Sequence, residues 1–523
     1  MHDCVSPFEN FDITSLLEQR AGSRGHHPFL IWAPFDGTLR TWSYAQFAQD
    51  VACIAGGLLE RGVRTGDRVL VQLENCPQAL LMLFACARIG AVHVPVASAT
   101  RPAEVAWFVE FTQAVGVVTQ PDFAAGIAQV CPNLGWMAVT TTNAGDDAVP
   151  WTLPAGAIAF ESLYGQPSAQ RVPDPDLDAL ILFTSGTTSR PKGVVWTHAN
   201  VLWGARLGAS QQGLRADDVV HLFLPLNHVV ALSWTFLPVL WTGASVVLQP
   251  RFSASRYWPA VIEYGVTVGS QVIFTANALA QHEVPKHKIR QWTNALNPPG
   301  QEDHFRLRVL GAWGMTEMAA QGIVGDPFAS QPPGSIGRPS LAYGIHVQND
   351  DGTPASIGSP GNLLVKGVRG LSIFKEYLKD PDATREAFDD DGLFRTGDRV
   401  IVWEDGFIQF SERVKDVIKV GGEGVSPAEI ERVVLEVPGI REVAVVAQAH
   451  EAYGQVPVAF VVMREKLHIS EHAGVSASVL AHCGTSLSKF KVPREVIVMD
   501  ELPRINFGKI AKAQLRDWLQ ARP

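Results

Sequence analysis

A run of hydroxyl-bearing and cationic residues between positions 184 and 192 has the clearest potential for chemistry in this chain. Its members are Thr184, Ser185, Gly186, Thr187, Thr188, Ser189, Arg190, Pro191 and Lys192. Backbone N–H groups beside a glycine approach an anion closely, hydroxyl groups donate further hydrogen bonds, and the cations balance negative charge. The run therefore predicts a polyphosphate-binding loop. Its spacing is not that of a Walker A loop, and an ordinary Ser/Thr-rich turn is the alternative interpretation.

The segments around this loop indicate an α/β fold. The loop follows a short apolar run, Leu180–Phe183, which is typical of a buried strand. Strand-like Arg68–Gln72, helix-like Gln78–Ile89 and strand-like Ala91–Pro95 alternate in the same way. Such alternation is typical of parallel sheets covered by helices.

Four further motifs follow the loop along the chain. They are Gly314–Glu317 after the apolar run Val309–Trp313, Gly392–Arg399, Glu412–Glu431, and Leu502–Ile510. Together and in this order, the five motifs resemble the signatures of the adenylate-forming superfamily. That superfamily holds acyl-CoA synthetases, aryl-CoA ligases, luciferases and the adenylation domains of peptide synthetases. The resemblance covers nearly the whole chain, and the scaffold loops Phe183–Val195, Ile373–Tyr377 and Lys489–Pro493 are most similar to the crotonobetaine/carnitine-CoA ligase branch.

The length of 523 residues exceeds what one hydrophobic core usually supports. We expect a large N-terminal domain of helix-covered sheets, residues 1–411, and a smaller, mobile α+β C-terminal domain, residues 412–523. The boundary is placed near Ser411, because short amphipathic units follow it, such as Ser426–Val437 and Ile440–Val446. The polar stretch Gly165–Asp178 is interpreted as a linker between subdomains. Hairpin turns are expected at Asp389–Asp391 and Trp403–Asp405.

The resemblance implies a two-step ligase reaction. A carboxylic acid attacks the α-phosphorus of ATP and releases pyrophosphate, and the thiol of coenzyme A then attacks the acyl-adenylate and releases AMP. Such a site needs cations, hydrogen-bond donors and Mg²⁺ rather than a covalent nucleophile. Because the sequence ends shortly after Lys509, free coenzyme A is the favoured acceptor. The alternative is an adenylation enzyme that loads a separate carrier protein.

The resemblance also implies roles in adenylation for individual residues. Lys509 would contact the acid carboxylate and the α-phosphate, and Thr316 would donate to the α-phosphate. Glu317 would bind Mg²⁺, since hard cations take carboxylate oxygens, and Thr184 is a second candidate metal ligand. The phosphates would lie against the loop residues Thr184, Ser185, Gly186, Thr187, Thr188 and Lys192.

Three further residues are implied to bind the nucleoside. Asp398, expected on a tight turn after Gly397, would accept hydrogen bonds from both ribose hydroxyls, and its alternative role is to cap that turn. Arg413 would reach the same ribose or a phosphate. Trp313 would stack on adenine or line the acyl pocket, although the family usually has Tyr there. The chain also departs from the family at Glu412, usually Gly, and at Lys512, usually Arg.

Thioester formation requires another face of the active site, because Lys509 would obstruct the incoming thiol. The resemblance implies that the C-terminal domain rotates about a hinge at Lys415. Gly421 and Gly422 would line a narrow tunnel for the pantetheine arm of coenzyme A. A hairpin turn at this glycine pair is compatible with that role.

The acid pocket is expected from four segments: Asn227–Trp234, Asn294–Asn297, Trp313–Met315 and Gly322. His228 matches a family position that gates the carboxylate, although a lone histidine can also be a satisfied core residue. No aspartate lies between His228 and Gln249, which argues against an amino acid substrate. The tryptophans Trp203, Trp234 and Trp313 could surround a quaternary ammonium by cation–π contact or a neutral acyl group equally well.

Bulk composition limits the remaining possibilities. The net charge of −9 argues against a nucleic-acid partner, which needs a basic surface. Six scattered cysteines and an N-terminus without a signal-peptide pattern favour a reducing cytoplasm. Val229–Leu248 is uncharged, but Pro238 and Gly243 interrupt it, so it predicts a buried helix, a turn and a strand rather than a membrane span. A homodimer is compatible with these features.

Overall fold

The computed structural model of the protein describes residues 7–144, 151–184, 191–295, 297–413, 418–420, 423–450, 453–465, 472–487, 489–505 and 509–522. Strands and helices are numbered below in chain order. The chain divides into two compact units, Met1–Gly344 with Lys366–Phe394, and Ile345–Val365 with Arg395–Pro523. The predicted boundary at Ser411 lies inside a strand of the second unit, and it remains a prediction for where a movable part begins.

The strands before and after the predicted phosphate loop belong to a sheet of the first unit that has eight strands among the described residues. Its strands, side by side, are β19 (Glu376–Tyr377), β9 (Gly193–Thr197), β8 (Asp178–Phe183), β4 (Val92–Val96), β3 (Arg68–Gln72), β5 (Ala114–Thr119), β6 (Met137–Val139) and β7 (Ala157–Ala159). From β8 to β7 the strands are parallel, whereas β9 runs antiparallel to β8 and β19 antiparallel to β9. The strands predicted around residues 70, 93 and 181 are confirmed.

A second sheet of the first unit has nine strands among the described residues. In spatial order they are β16 (Arg338–Pro339), β15 (Ile323–Val324), β14 (Arg308–Trp313), β13 (Gln291–Asn294), β12 (Val268–Ser270), β10 (Val219–Leu222), β11 (Ser245–Leu248), β1 (Pro28–Trp32) and β2 (Arg40–Ser43). From β14 to β1 the strands are parallel. Their carboxyl ends therefore meet at one edge, which is where ligands bind in open α/β sheets.

The helices of the first unit connect and cover these strands. They are α1 (Ile13–Arg24), α2 (Tyr44–Glu60), α3 (Pro77–Ile89), α4 (Pro102–Thr112), α5 (Pro121–Val130), α6 (His198–Gln211), α7 (Leu237–Thr242), α8 (Ala254–Glu263), α9 (Ile273–Leu279), α10 (Gln301–Phe305) and α11 (Pro381–Glu386), with a 3₁₀-helix at Phe160–Leu163. Local sequence sets the helix ends: α3 begins at Pro77 and stops at Gly90, whose φ of 76° favours glycine.

The prediction that Gly165–Asp178 links two subdomains is wrong. This stretch joins β7 to β8, two strands of the same sheet. It packs along α2, where the N–H groups of Gly165 and Ser168 donate to the carbonyls of Cys53 and Ala52 at 3.0 and 2.9 Å. A Cβ at Gly56 would collide with this stretch at the Gln166 carbonyl. The polar composition therefore reflects an exposed connection whose backbone is fastened to a helix.

The uncharged segment Val229–Leu248 forms a helix, a turn and a strand, as predicted. Its first part, Val230–Phe236, is a π-helix, which continues into α7, turns at Gly243 with φ 79° and enters β11. The Thr235 hydroxyl donates to the Val230 carbonyl at 2.7 Å and supports the wide turn. Within the described residues no helix has both the length and the apolar character needed to cross a membrane.

The second unit is α+β, as predicted. A four-stranded sheet has the order β17 (Gly344–Gln348), β18 (Pro360–Lys366), β20 (Phe394–Val402) and β21 (Ile408–Arg413). A further sheet contains β23 (Glu423–Val425), β22 (Ile418–Val420), β25 (Gly454–Met463) and β24 (Ile440–His450), with β26 (Glu495–Met499) beside β25, and β27 (Arg504–Ile505) pairs with β28 (Lys509–Ile510). These counts refer to the described residues. The predicted turns at residues 389–391 and 403–405 are confirmed, since chain reversals lie there.

The β24–β25 pair separates two apolar cores of the second unit. Val443 and Val445 face the core under α12 (Pro427–Leu435) and α13 (His472–Ser486), whereas Ala444 and Val446 face the core under α14 (Lys512–Gln520). A 3₁₀-helix, Lys489–Lys491, follows α13. Successive side chains of a strand point to opposite faces, so these strands are apolar along their length and need cover on both sides.

Candidate active site

The segments predicted to form the acid pocket follow neighbouring parallel strands. The segment Asn227–Trp234 follows β10. The segment Asn294–Asn297 begins at the last residue of β13, and Trp313–Met315 begins at the last residue of β14. The strands β14, β13, β12 and β10 are adjacent, so these segments emerge at the same sheet edge. Leu296 lies outside the described residues. This placement supports a shared pocket at the carboxyl edge of the nine-stranded sheet.

Glu317 is the best-defined polar group near this edge. Glu317 is only 6% exposed, and its Oε1 accepts a hydrogen bond from the Tyr377 hydroxyl at 2.8 Å. Its backbone carbonyl accepts from the Phe374 N–H at 2.8 Å. The Lys192 Nζ lies 4.5 Å from the centroid of the Tyr377 ring. A carboxylate, a phenol and an ammonium group thus form a connected cluster, which is a suitable surface for a metal–polyphosphate ligand.

Tyr377 was missed as a functional candidate by the sequence analysis. Burial and the neighbouring Glu317 carboxylate raise the pKa of its hydroxyl well above the ordinary value, so the group remains a hydrogen-bond donor. It reaches the site because β19 pairs with β9, with Tyr377 opposite Val194. A separation of sixty residues between Tyr377 and Glu317 leaves no local signal from which this contact could be predicted.

The ends of the phosphate loop are anchored by the β8–β9 hairpin. The Thr184 N–H donates to the Lys192 carbonyl at 3.1 Å, which continues the hairpin one pair beyond the strands. Ser185, Gly186, Thr187 and Thr188 lie outside the described residues. On the next strand, Trp196 Nε1 donates to the Thr316 carbonyl at 2.9 Å. This bond ties the sheet that carries the loop to the Gly314–Glu317 motif.

Trp313 ends β14 and is 7% exposed. Its carbonyl accepts from the Gly322 N–H at 3.0 Å, so the chain between these two residues forms a closed loop. A Cβ added at Gly322 would collide with the methyl group of Met318 and lie 3.2 Å from Trp313 Cζ3. The predicted pocket position at Gly322 is therefore a close-packed contact between side chains and backbone.

His228 begins the turn before the π-helix. Its Nδ1 accepts a hydrogen bond from the Val230 N–H at 3.3 Å, and its carbonyl accepts from the Leu232 N–H at 2.9 Å. Because Nδ1 accepts, a neutral imidazole carries its proton on Nε2. His228 is partly buried rather than enclosed in the core, and its gating role stays a prediction.

The second unit carries two of the three predicted nucleoside-binding residues, Asp398 and Arg413. Asp398 is 2% exposed and lies within β20, not on a tight turn as predicted. The positive φ of Gly397, 72°, bends the strand without ending it. The Asp398 N–H donates to the Thr396 hydroxyl at 3.1 Å, and Arg413 is its partner across the β20–β21 ladder. The register places Asp398 and Arg413 side by side. For Arg413 the structure describes only the backbone.

The remaining predicted residues of the second unit are described only in part. Lys509 begins β28, where it pairs with Ile505, and only its backbone is described. Lys415, Gly421 and Gly422 lie outside the described residues. Lys512, which stands where the family usually has Arg, forms an ion pair with Glu431 at 2.6 Å.

The donor set at Glu317 fits a magnesium ion. Among the described residues, no three His, Cys, Asp or Glu side chains gather into a protein-only metal site. Mg²⁺ commonly takes one or two carboxylates and completes its octahedron with phosphate and water oxygens. A buried carboxylate with one oxygen oriented by a tyrosine is suited to that role. Thr184 would add a hydroxyl oxygen.

Comparison with known families supports the same chemistry over most of the chain. Residues 17–378 match the family described as AMP-binding enzyme. Residues 429–509 match the AMP-binding enzyme C-terminal domain. The first match contains the phosphate loop, the Gly314–Glu317 motif and Tyr377, and the second ends at Lys509.

Individual relatives match over nearly their full length. The crotonobetaine/carnitine–CoA ligase of Salmonella typhi is 32% identical over 521 residues, covering 97% of this chain and 99% of that protein. Among solved structures, ATP-bound MatB from Rhodopseudomonas palustris is 27% identical with a TM-score of 0.85, covering 97% of this chain and 99% of that one. A benzoate CoA ligase from Burkholderia xenovorans LB400, 24% identical with a TM-score of 0.84 and covering 97% and 100%, shares the fold.

Proposed function

This chain belongs to the AMP-binding enzyme family and is an ATP-dependent carboxylic acid–CoA ligase, and we propose which of its residues carry each half-reaction. The reaction joins the acid to AMP with release of pyrophosphate. The thiol of coenzyme A then displaces AMP and forms the thioester. Each step moves negative charge onto phosphate oxygens, so catalysis depends on positioned cations and donors.

The first unit is proposed to hold the polyphosphate and to orient the acid. The observation that carries this proposal is the cluster in which Tyr377 donates to Glu317 at 2.8 Å while Lys192 lies over the same ring. Lys192 would balance the charge of the phosphates together with the loop residues Thr184, Ser185, Gly186, Thr187 and Thr188. Thr316 would donate to the α-phosphate, and Trp313 would pack against adenine or the acyl group.

Magnesium, when bound, would neutralise charge on the phosphates and the departing pyrophosphate. Glu317 would hold it through a carboxylate oxygen, with the Thr184 hydroxyl as a second protein ligand. Tyr377 would keep the carboxylate in one orientation, because its hydroxyl remains protonated. These residues bind and orient, and the reacting atoms belong to ATP and the acid.

The second unit is proposed to act in turn on the two half-reactions. Lys509 would stabilise the charge that develops between the carboxylate and the α-phosphate. Asp398 and Arg413 would bind the ribose and an adjacent phosphate. After adenylation, rotation about Lys415 within residues 412–523 would withdraw Lys509 and present Gly421 and Gly422 to the pantetheine arm.

The acid is proposed to be neutral apart from its carboxylate, with His228 beside that carboxylate. Support comes from the segment between His228 and Gln249, which contains no carboxylate to balance a buried cation. The relative named crotonobetaine/carnitine–CoA ligase makes a quaternary ammonium acid the second candidate. A trimethylammonium acid and its tert-butyl isostere separate the two, since a cation box should favour the ammonium acid by about 1–2 kcal/mol in kcat/KM.

A cytoplasmic location is part of the proposal, because the five described cysteines are free thiols, as in reducing compartments. The homodimer stays a prediction, which light scattering on the purified protein would measure.

The test of the function is a panel of carboxylic acids scored for pyrophosphate release with and without coenzyme A. The expected result is slow, acid-dependent pyrophosphate release without coenzyme A and fast thioester and AMP formation with it. Thioester formation only with a carrier protein would favour the alternative acceptor. Absence of acid-dependent pyrophosphate release would contradict the proposed adenylation.

A further inference from the structure

We propose that the Gln321 side-chain amide and the Trp234 indole N–H form a hydrogen-bonding subsite for a neutral polar group on the acid substrate. The proposal rests on the proposed function and narrows its substrate class. The acid would carry a hydroxyl, carbonyl or amide group in addition to the reacting carboxylate.

The first observation is a buried amide that makes no hydrogen bond within the described part of the chain. Gln321 is 0% exposed, and neither its Oε1 nor its Nε2 has a hydrogen-bond partner among the described residues. Trp234 is 5% exposed, and its Nε1 is likewise without a partner in the described part of the chain. Buried side-chain polar atoms are nearly always hydrogen-bonded in native proteins, so two such residues require an explanation.

The second observation is that these two residues flank the same glycine. A Cβ built on Gly314 would lie 2.6 Å from Trp234 Cζ2 and 3.5 Å from Gln321 Cα. Gly314 opens the motif that ends at Glu317, and it follows Trp313 at the carboxyl end of β14. The indole ring and the Cα that carries the Gln321 side chain therefore lie beside the backbone that leads to the proposed metal ligand.

The third observation is that the backbone carbonyls of both residues already have hydrogen-bond donors. The Gln321 carbonyl accepts from Gln211 Nε2 at 3.2 Å, and the Trp234 carbonyl accepts from Gln212 Nε2 at 2.7 Å. The Ser233 hydroxyl also donates to the Ala319 carbonyl, which fastens the π-helix to this loop. The segments are held in place by bonds that do not use the two side-chain groups, which leaves those groups available to a ligand.

The chemistry of the two groups defines the ligand. An amide offers both donors and an acceptor, whereas an indole offers one donor. Neither is charged, and burying an ionised group without a charged partner is costly. A neutral hydroxyl, carbonyl or amide can accept from the indole and also bond to the amide. A hydrocarbon group at this position would leave both protein groups unpaired. The kcat/KM for such an acid should therefore be lower than for the acid with the polar group.

The experiment compares Gln321→Leu with Gln291→Leu. Gln291 is a matched control because it is also buried, at 2% exposure, but both polar atoms of its amide have protein partners: Nε2 donates to the Gln212 carbonyl at 2.6 Å, and Oε1 accepts from Arg290 at 2.6 Å. It lies at the amino end of β13, away from the pocket edge. Each variant is assayed for AMP formation with acid pairs that differ by one hydroxyl in place of one methyl, such as 4-hydroxybenzoate and 4-methylbenzoate, and 3-hydroxybutanoate and 3-methylbutanoate.

The expected result is that wild-type protein prefers the hydroxy acid of at least one pair, and that Gln321→Leu lowers this preference about tenfold or more. Gln291→Leu should keep the preference. Thermal unfolding gives a second readout: the midpoint should fall in Gln291→Leu, which loses protein hydrogen bonds, but not in Gln321→Leu.

Two results would overturn the subsite. One is an unchanged hydroxy-to-methyl ratio in Gln321→Leu while wild-type protein forms AMP. The other is an equal fall in both unfolding midpoints, which would assign the Gln321 amide to a structural role such as binding buried water. Failure of wild-type protein to form AMP from any acid would instead contradict the proposed function, and the subsite with it.

Discussion

The two units carry their candidate residues on different kinds of structure. In the first unit, Glu317 follows the parallel strand β14, is buried, and accepts a hydrogen bond from Tyr377. In the second unit, Asp398 lies in an antiparallel hairpin and Lys509 begins a two-residue strand. The residues of the first unit are held by packing at a sheet edge. The residues of the second unit lie on the β20–β21 hairpin and on the two-stranded β27–β28 sheet. This difference suits the proposed division of labour, in which the first unit binds throughout the reaction and Lys509 of the second unit acts only in adenylation.

Removing the charge of Glu317 should have the largest effect in the first unit. Glu317→Gln keeps an oxygen that can accept from Tyr377 but loses the carboxylate, so adenylation should slow by about 10²–10³-fold. Pyrophosphate exchange at several Mg²⁺ concentrations measures this effect, with Glu386→Gln on the exposed end of α11 as the control. A wild-type rate in Glu317→Gln would remove this residue from the metal site.

Removing the Asp398 carboxylate should weaken ATP binding without unfolding the second unit. Asp398→Ala deletes one charged acceptor for two ribose hydroxyls, so the binding free energy should fall by about 1.5–3 kcal/mol. Calorimetric titration with ATP measures the change, and Asp517→Ala on the exposed face of α14 is the control. Unchanged affinity in a folded variant would show that this buried aspartate has a structural role in β20.

Acid should lower the free energy of unfolding of the first unit. Burial lowers the pKa of His93 to about 3 and that of His221 to about 4. The unfolded chain binds these protons near pH 6.5, whereas the folded chain does not. The free energy of unfolding is therefore highest above pH 6.5 and decreases as the pH falls toward the pKa values of the folded protein. At pH 5 the loss is about 2 kcal/mol for each histidine. Urea unfolding at pH 7.5 and 5 should show a smaller difference in His93→Leu than in wild-type protein, and equal differences would argue against a neutral buried His93.

Removing the Tyr377 hydroxyl should have the smallest effect, because Tyr377 orients a ligand instead of binding the metal. In Tyr377→Phe the Mg²⁺ concentration for half-maximal adenylation should rise about tenfold, with little change at saturating Mg²⁺. Tyr343→Phe is the matched control, since its buried hydroxyl donates to the Ser372 carbonyl at 2.9 Å. An equal response of both variants would attribute the effect to general packing and not to Glu317.

The parts of the fold that depend on local pattern could be predicted from the sequence. Short apolar runs gave β3, β4 and β8, and Pro238 with Gly243 correctly divided the uncharged segment before β11. The π-helix at Val230–Phe236 could not be predicted, because its surroundings include tertiary hydrogen bonds such as the one between the Thr235 and Ser270 hydroxyls. Gly397 was expected to make a tight turn but bends a continuous strand instead, and the next residue, Asp398, already pairs with Arg413 of β21.

The candidate site was accessible from the sequence where residues form contiguous motifs, such as Gly314–Glu317. Tyr377 was not, because its role depends on pairing between β19 and β9. Gln321 likewise gave no signal, since only burial without a partner distinguishes its amide from an ordinary polar side chain. A linear motif shows neither a contact that depends on strand pairing, as at Tyr377, nor a buried amide without a hydrogen-bond partner, as at Gln321.

The division of labour between the units is tested most directly by measuring both half-reactions in Lys509→Ala. Adenylation, followed as pyrophosphate release, should slow by about 10²–10³-fold, because one stabilising cation is lost from the transition state. Thioester formation from supplied acyl-adenylate and coenzyme A should stay near the wild-type rate. An equal loss in both half-reactions would contradict the account, because it would mean that Lys509 serves one fixed site throughout the reaction.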